Sequence, residues 1–285
     1  MIFFFLEKIY KIIHPNASLN HTEQRKEKII VSFTSIPPRI KKIDKVVIRI
    51  LEQTIKPDKI LIYIGKNEFQ DVPIPIFLRI QMKLFGVEVR YVDDIGPHTK
   101  YFYAISEFPN GIIITIDDDV RYPNDVISEL YASYLKHPRA ISARRCHLIT
   151  FDTNGEIKRY NDWLYKYSDL IDTPSFKLFP TGVGGVLYPP KSLHAEVFNL
   201  ESIKKNALKN DDIWLKFMEI MNGTPVVMTK PFTIKHVKGS QKVALNLENV
   251  KGQGNDICIQ KMINSYDNFF GTQDTLLNRI KHNDQ

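Results

Sequence analysis

The chain contains the run Ile112-Ile113-Ile114-Thr115-Ile116-Asp117-Asp118-Asp119, in which an apolar segment ends in three consecutive carboxylates. The apolar part predicts a buried strand. Carboxylates held this close raise one another's pKa, so a cation or a set of hydrogen-bond donors must keep them ionised. Mg²⁺ and Mn²⁺ prefer oxygen ligands, which carboxylates commonly share with substrate phosphates. The run therefore indicates a metal and phosphate site at the carboxyl end of a strand, where open α/β sheets bind ligands.

A simpler interpretation of the three aspartates stays open. Aspartate is common in turns and at helix starts, so the triplet can also form a solvated turn in which Asp119 or Asn124 caps the next helix. The two interpretations differ in whether the carboxylates are buried and whether cationic groups surround them.

Apolar runs upstream of the aspartates predict a repeated alternation of strands and helices. Strands are predicted at 29–33, 59–64 and 87–92, and helical spacing is seen at 40–51 and 100–107. Successive strand, helix and strand units require parallel pairing and place helices on both faces of the sheet. We expect an α/β fold class with a mostly parallel central sheet flanked by helices, and a smaller irregular part after Arg144.

The second half of the chain has two features with a clear local interpretation. A glycine-rich turn leads into a strand at 182–188, where Gly184 and Gly185 either serve the turn or let backbone approach a ligand. After Asn210 a helix is predicted, whose apolar stripe is typical of core packing. That stripe places Asp211 and Asp212 at the helix start.

Composition narrows the class of partner. The 285 residues are 43% hydrophobic and 25% charged, as in ordinary globular proteins, and the net charge of +7 favours anionic partners. Nucleic acid is not expected, because the cationic residues are scattered and no nucleic-acid-binding motif is seen. Cys146 and Cys258 lack metal-site or redox spacing, which predicts two buried thiols in a reducing compartment.

The first thirteen residues predict an amphipathic helix. Its apolar face combines Ile2, Phe5, Leu6, Ile9, Ile12 and Ile13, with Glu7, Lys8 and Lys11 opposite. Because a bilayer needs roughly 20 apolar residues, this segment is too short to span one. It either lies in a membrane interface or packs on the domain or a partner.

Four segments together resemble nucleotide-sugar glycosyltransferases of the GT-A fold, of the bacterial surface-polysaccharide type. The aspartate triplet is similar to their Asp-any-Asp motif, and Ser32–Pro37 to the first-strand loop that holds the nucleoside base. Gly96–Lys100 resembles the segment before that motif, and Asn210–Leu215 is similar to the acidic motif of inverting members. The resemblance covers roughly residues 28–263, and only the aspartate motif is fairly specific by itself.

The resemblance implies roles for individual residues. Thr34 and Ser35 would lie beside the nucleoside base. Lys100 would contact phosphate or ribose, and Asp117 would lie near the ribose and the metal. Asp119 would bind the Mn²⁺ or Mg²⁺, and Asp118 would support either group. In an inverting reaction Asp212 would be the general base. For Lys100 a surface charge, and for Asp212 a plain helix cap, are the simpler interpretations.

A later segment points to a different stereochemistry. His236, Gly239 and Lys242 resemble the His-any-any-Gly-any-any-Lys element of certain retaining galactosyltransferases, although Val243-Ala244 replaces the usual Pro-Trp. Imidazole can complete a metal's coordination, and lysine can face phosphate oxygens. A surface loop is the alternative. The pattern of the preceding segment, 232–235, predicts a strand.

These patterns lead to one domain prediction and one functional prediction. Residues 1–27 form an amphipathic segment, 28–145 the nucleotide-sugar-binding half, and 146–285 the acceptor-binding half of the same catalytic domain. The expected enzyme is an inverting, metal-dependent glycosyltransferase that moves a hexose or N-acetylhexosamine from a nucleotide-diphosphate sugar to a saccharide or lipid-linked acceptor. A UDP-sugar is the favoured donor. We expect it in the cytoplasm, peripheral to the inner face of a bacterial membrane.

Three alternatives to this function remain. A retaining enzyme of the same fold would fit the His236 segment, and a non-catalytic nucleotide- or metal-binding module would share the same ligands. A sugar nucleotidyltransferase ranks lower, because its first loop is usually glycine-rich and 34–39 contains no glycine. The sequence does not indicate the oligomeric state.

Overall fold

The structure is a computed structural model that describes residues 2–19, 25–240, 253–271 and 274–282. Its strands are β1 (Ile29–Thr34), β2 (Lys59–Gly65), β3 (Glu88–Val92), β4 (Ile112–Thr115), β5 (Ile141–Ala143), β6 (Cys146–Leu148), β7 (Leu178–Pro180), β8 (Val186–Tyr188) and β9 (Val226–Met228). Its helices are α1 (Ile2–Ile13), α2 (Pro37–Ile40), α3 (Asp44–Leu51), α4 (Ile76–Phe85), α5 (Thr99–Glu107), α6 (Val126–Lys136), α7 (Leu200–Asn206), α8 (Asp211–Met221), α9 (Gly254–Tyr266) and α10 (Leu276–His282).

The chain divides into two compact units. Unit 1 contains the described residues of Met1–Asp94, Thr99–Glu129 and Thr233–Val243. Unit 2 contains those of Ile95–His98, Leu130–Phe232 and Ala244–Gln285.

Unit 1 is built on four parallel strands in the order β3-β2-β1-β4. Ser32 of β1 is level with Leu61 of β2 on one side and with Thr115 of β4 on the other. Nearly every residue of β1, β2 and β4 is buried, as expected of parallel strands covered on both faces. The predicted α/β fold with mostly parallel strands and flanking helices is confirmed.

Helices cover the strands of unit 1 as the apolar periodicity predicts. Ala104 of α5 packs against Ile30, Leu61 and Ile113, which point to one face of the sheet. The helix predicted at 40–51 is two helices, α2 and α3, and Pro37 and Pro38 stand at the start of α2 where a missing N–H costs nothing. Helix α4 was not predicted. It ends at Gly86, whose φ of 76° is the left-handed conformation of a helix C-cap.

Helix α1 packs on α4 through an edge different from the predicted one. The predicted polar face carried Glu7, but Glu7 is buried and forms a 2.6 Å ion pair with Lys83. Tyr10 is also buried, and its hydroxyl accepts a 2.6 Å hydrogen bond from Gln81. The apolar side chains of Phe5 and Ile12 remain 63% and 77% exposed. The helix therefore packs on the domain and still presents an apolar row outward.

Unit 2 has shorter strands. Strand β5 pairs with β8 in antiparallel and with β9 in parallel orientation, and β6 pairs with β7 in antiparallel orientation. The predicted turn at 182–188 is a short 3-10 turn at Gly182–Gly184 followed by β8. The apolar stripe of α8 is buried, as predicted: Ile213, Trp214, Phe217, Met218, Ile220 and Met221.

Three smaller predictions have different outcomes. The strand predicted at 232–235 is wrong, since this segment forms no ladder and only His236 makes an isolated bridge, to Val120. Cys146 and Cys258 are free and buried, as predicted. Among the described residues, no helix combines the length and apolar character needed to cross a membrane.

Candidate functional site

The carboxyl ends of β1 and β4 bring two predicted segments together in unit 1. Because Ser32 and Thr115 are level in the parallel ladder, Thr34 and Ser35 lie at the same edge as the aspartates that follow β4. Thr34 is the last residue of β1 and is half-buried. Asp118 and Asp119 are 6% and 5% exposed. Such burial disfavours the interpretation of the triplet as a solvated turn.

Asp118 is held by two side chains from the segment after β1. Its Oδ2 accepts a 2.5 Å hydrogen bond from the Ser35 hydroxyl, and its Oδ1 accepts a 2.6 Å bond from Nη1 of Arg39. Burial raises the pKa of Asp118, while Arg39 and Ser35 oppose that rise. The carboxylate of Asp118 therefore organises the loop rather than pointing at solvent.

Arg39 is a site residue that the sequence did not reveal. The same Nη1 that binds Asp118 lies 3.5 Å from Oδ2 of Asp119. Burial works against the charge of Arg39, but Asp118, Asp119 and Asp117 outweigh it and raise the guanidinium pKa. The only sequence signal was its place directly after the Pro37-Pro38 turn, where a strand end leads into a short helix.

Lys100 neutralises the first aspartate of the triplet. Its ammonium lies 3.0 Å from Oδ1 of Asp117, and its side chain is largely buried at the start of α5. Its backbone carbonyl accepts a 2.5 Å bond from the Ser32 hydroxyl, which ties α5 to β1. A buried, paired lysine contradicts the interpretation of Lys100 as a surface charge.

Tyr122 is a second residue that the sequence did not reveal. Its hydroxyl oxygen accepts a 2.9 Å hydrogen bond from the backbone N–H of Asp117, and its ring is fully buried. Burial, with the nearby charge of Asp117, raises the pKa of Tyr122 well above its ordinary value, so the hydroxyl stays protonated. Tyr122 therefore fixes the backbone from which the carboxylates project.

The His236 segment runs beside the aspartate loop within unit 1. Nδ1 of His236 lies 3.6 Å from Oδ1 of Asp119. The backbone N–H of Val237 donates to the Asp119 carbonyl at 2.7 Å, and that of Arg121 donates to the Lys235 carbonyl at 2.8 Å. Lys238 accepts a bond from Lys42 through its carbonyl. Lys242, predicted with this segment, lies outside the described residues.

The residues around Asp119 fit a hard divalent ion that is shared with a ligand. Burial raises the pKa of Asp119, with Asp117 as the next largest cause, so a cation between them would be favoured. Within the described ranges, no group of three or more His, Cys, Asp or Glu side chains is arranged to hold a metal by itself. Mg²⁺ and Mn²⁺ commonly take one or two carboxylates and complete their coordination with substrate phosphates, and Asp117 and Asp119 are the carboxylates that would serve here.

Asp212 belongs to unit 2 and is bound by the backbone of the glycine turn before β8. It stands in the first turn of α8, half-buried, and its Oδ1 accepts a 3.0 Å hydrogen bond from the backbone N–H of Gly182. Burial raises the pKa of the Tyr160 hydroxyl, and the negative charge of nearby Asp212 raises it further. Asp211, in the same turn, is buried. The bond from Gly182 ties Asp212 to the glycine turn that precedes β8.

The glycines of this turn serve backbone geometry. A Cβ on Gly184 would lie 2.7 Å from the Cβ of Arg145, and Gly185 has a φ of 86°, in the left-handed region. Both observations support the interpretation that these residues serve the turn.

No protein-family model matches the chain, and no curated protein matches it. Among solved structures, it is similar to glucosyl-3-phosphoglycerate synthase from Mycobacterium tuberculosis in complex with Mn²⁺, UDP and glucosyl-3-phosphoglycerate, with a TM-score of 0.46 and 10% identity over 84% of this chain and 80% of the other. It is also similar to 4-diphosphocytidyl-2C-methyl-D-erythritol synthase, with a TM-score of 0.44 and 13% identity over 83% and 100%.

A third similar structure is CMP:2-keto-3-deoxy-manno-octonic acid synthetase complexed with CTP, with a TM-score of 0.45 and 11% identity over 81% of this chain and 99% of the other. At TM-scores below 0.5, these likenesses establish neither activity nor substrate. Function therefore has to be inferred from the site itself.

Proposed function

We propose that the chain is a metal-dependent glycosyltransferase that moves a hexose or N-acetylhexosamine from a nucleotide-diphosphate sugar to a saccharide or lipid-linked acceptor. A UDP-sugar is the favoured donor. One observation carries the proposal: buried aspartates at the end of β4 are surrounded by Arg39, Lys100 and His236. A site with this many opposed charges suits a ligand that brings both negative phosphate and a divalent cation.

Asp117, Asp119 and His236 would hold Mn²⁺ or Mg²⁺ together with the diphosphate. When bound, the ion supplies electrostatic stabilisation of the charge that develops on the leaving diphosphate. Support for this ligand set comes from the buried position of Asp119 and its 3.6 Å approach to His236.

The other residues of unit 1 bind and orient the donor. Lys100, whose ammonium lies 3.0 Å from Asp117, would donate to a phosphate oxygen or a ribose hydroxyl. Thr34 and Ser35 would lie beside the nucleoside base of the donor. Asp118 is engaged by Ser35 and Arg39, so we assign it to positioning this loop rather than to a ligand contact.

Asp212 is the proposed general base of an inverting reaction. A carboxylate takes the proton from the acceptor hydroxyl as that oxygen attacks the anomeric carbon, and the diphosphate leaves. Support comes from its position in the first turn of α8, where the backbone N–H of Gly182 binds one carboxylate oxygen at 3.0 Å and orients the side chain. The His236 segment keeps a retaining reaction as the alternative, and the anomeric configuration of the product by NMR decides between them.

The test is a donor screen with purified protein and Mn²⁺. We expect one sugar nucleotide, among UDP-, GDP-, CMP- and dTDP-sugars, to raise the melting temperature and to release its nucleoside diphosphate or monophosphate. A ligand that binds the folded state stabilises it in proportion to its occupancy. A nucleotide that raises the melting temperature without release or transfer would make the chain a binding module. No response to any donor would contradict the proposal.

We also propose that α1 contacts an anionic lipid surface. Apolar side chains of the helix that are exposed include Phe4, Phe5, Ile12 and Ile13, and Lys8 and Lys11 are exposed beside them. An apolar row flanked by lysines is the composition that binds the interface of anionic bilayers. The net charge of +7 acts in the same direction.

Sedimentation with phosphatidylglycerol vesicles tests the lipid contact. The double substitution F5S/I12S should abolish cosedimentation, whereas Leu135→Ser, at a residue that is 62% exposed in α6, should not. Equal binding of both variants would refute the contact. A change in oligomeric state for F5S/I12S, measured by light scattering, would instead identify the row as an interface between copies.

A further inference from the structure

Unit 2 contains a cluster of aromatic rings built around a buried histidine. His147 of β6 is 1% exposed, and the Tyr165 ring lies over it with centroids 4.2 Å apart and planes 33° apart. Tyr160 meets both rings edge-on at 5.8 Å. Burial lowers the pKa of His147 to about 3, so its ring is neutral and packs as an aromatic group.

The backbone on which Tyr165 stands is held in an unusual conformation. Lys166 has a φ of 52°, a left-handed conformation that residues other than glycine, asparagine and aspartate seldom adopt. Its N–H donates to Nδ1 of His147 at 3.1 Å, and the Tyr165 hydroxyl donates to Oδ1 of Asn161 at 3.0 Å. Tyr165 is nevertheless 42% exposed, and its neighbour Leu164 is 48% exposed. The turn therefore keeps a fixed aromatic side chain at the surface.

A cation and an acid adjoin this aromatic cluster. Arg145 directly precedes β6, and its Nη1 donates to the Thr181 hydroxyl at 2.6 Å. The next residue, Gly182, donates its N–H to Asp212. The charge of Arg145 acts on the hydroxyls of Tyr160 and Tyr165, and that of Asp212 on the Tyr160 hydroxyl. Arg145, Tyr165 and Asp212 thus border one region of unit 2.

We propose that this region is a saccharide subsite for an acidic acceptor, in which a pyranose packs on Tyr165 and its carboxylate or phosphate group binds Arg145. The inference rests on the proposed function, since it gives the acceptor class for the reaction in which Asp212 is the base. It adds two residues, Tyr165 and Arg145, that no sequence motif indicated.

Each chemical element of the subsite has a counterpart in an acidic sugar. The face of an aromatic ring carries partial negative charge and attracts the weakly positive C–H groups of a pyranose. A guanidinium offers several N–H donors in a planar fork that matches a carboxylate or phosphate, and the Thr181 bond uses one of them. Because the Tyr165 side chain is already fixed, binding loses little side-chain entropy.

Saturation-transfer difference NMR tests the subsite without nucleotide or metal. The probes are methyl β-D-glucuronide, glucose 6-phosphate and methyl β-D-glucoside. We expect the wild-type protein to give the strongest ring-proton signals with one of the two anionic probes, and the stronger probe identifies the preferred acidic group. Tyr165→Ala should raise the Kd of all three probes, obtained by titration of the signal, by about tenfold, which corresponds to roughly 1.4 kcal/mol. Tyr165→Phe should retain the wild-type Kd values.

Arg145 is tested by the preference between probes. Arg145→Gln should lower the anionic-to-neutral signal ratio to about one, and Arg145→Lys should keep much of it, because charge is retained. Wild-type binding that does not favour an anionic probe, or an unchanged Kd in Tyr165→Ala, would overturn the subsite. Failure of the donor screen with intact probe binding would count against the proposed donor chemistry alone.

Discussion

Two carboxylate sites differ in what holds their acids. In unit 1, Asp117 is paired with Lys100, and Asp118 and Asp119 face Arg39. In unit 2, Asp212 accepts a hydrogen bond from a neutral backbone N–H. Acids beside cationic side chains suit a ligand that brings both phosphate and a divalent cation, whereas a half-buried acid oriented by a backbone N–H suits the acceptance of a proton from an acceptor hydroxyl. The contrast is consistent with the proposed roles, donor binding at the first site and base catalysis at the second.

Asp212→Asn should produce the largest effect and separates the two sites. Loss of a general base lowers kcat by about 10²- to 10⁴-fold. Binding of UDP with Mn²⁺ should stay unchanged, because the donor residues lie in unit 1. Steady-state kinetics, with the donor and acceptor of highest wild-type turnover, measure the change. Asp211→Asn is the matched control and should lower kcat less than about tenfold. Equal losses of kcat in both variants would mean that Asp212 serves only the start of helix α8 and is not the general base.

Arg39→Ala should have the next largest effect, on stability. Removing one partner of a buried ion pair costs about 3 kcal/mol, because the remaining charge is left uncompensated. Urea denaturation measures the free energy of unfolding. Arg90→Ala is the control, since Arg90 is more exposed in its pairs with Glu88 and Glu107 and should cost less than about 1 kcal/mol. A small loss for Arg39→Ala would show that Asp118 is not organised by this pair.

Lys100→Met should weaken binding of UDP with Mn²⁺ by about tenfold, the equivalent of one charge-assisted hydrogen bond. Isothermal titration calorimetry gives the affinity. Lys66→Met is the control, because Lys66 is 54% exposed and pairs with Asp93 on the surface. If both substitutions leave the affinity at the wild-type value, Lys100 only balances the charge of Asp117.

The smallest predicted effect is a pH dependence within α8. Burial raises the pKa of Glu219 from 4.5 to about 7, although Lys216 lies 3.2 Å away. The folded protein therefore keeps a proton that the unfolded chain loses, so this contribution to stability is present below pH 4.5 and is lost as the pH rises to about 7.

Glu219→Gln should remove that slope, by on the order of 1 kcal/mol between pH 5 and pH 8, as measured by urea denaturation. Glu88→Gln is the control, because the contribution of Glu88 to stability should change with pH in the opposite direction. Despite partial burial, Lys59 and Arg90 lower the pKa of Glu88, so its contribution falls as the pH decreases. Parallel pH profiles for the wild type and Glu219→Gln would contradict the assignment.

The sequence predicted those parts of the fold that depend on local pattern. The strands β1, β2 and β4 were visible because most residues in a covered parallel strand are apolar. Helix α8 was visible from its stripe. Helix α4 was missed, because its buried positions mix with exposed Phe77 and Ile76 and give no clear periodicity.

The candidate site was predictable in its acids and less so in its cations. Three adjacent aspartates after an apolar strand are conspicuous, whereas Arg39 and Tyr122 owe their roles to tertiary contacts that no local pattern encodes. The same holds for Arg145, which resembles any other partly exposed arginine until β6 and β7 pair. The segment at 232–235 was mistaken for a strand because its alternation of apolar and polar residues looks the same whether or not a partner strand exists.

We propose that the aspartates after β4 bind a divalent ion jointly with a diphosphate. Electron paramagnetic resonance of free Mn²⁺ measures this directly, as a titration of protein with and without UDP. We expect UDP to raise the Mn²⁺ affinity of the wild-type protein, and of the surface control Asp71→Asn, by at least about tenfold. Asp119→Asn should abolish that coupling. Full coupling between Mn²⁺ and UDP in Asp119→Asn would contradict the account.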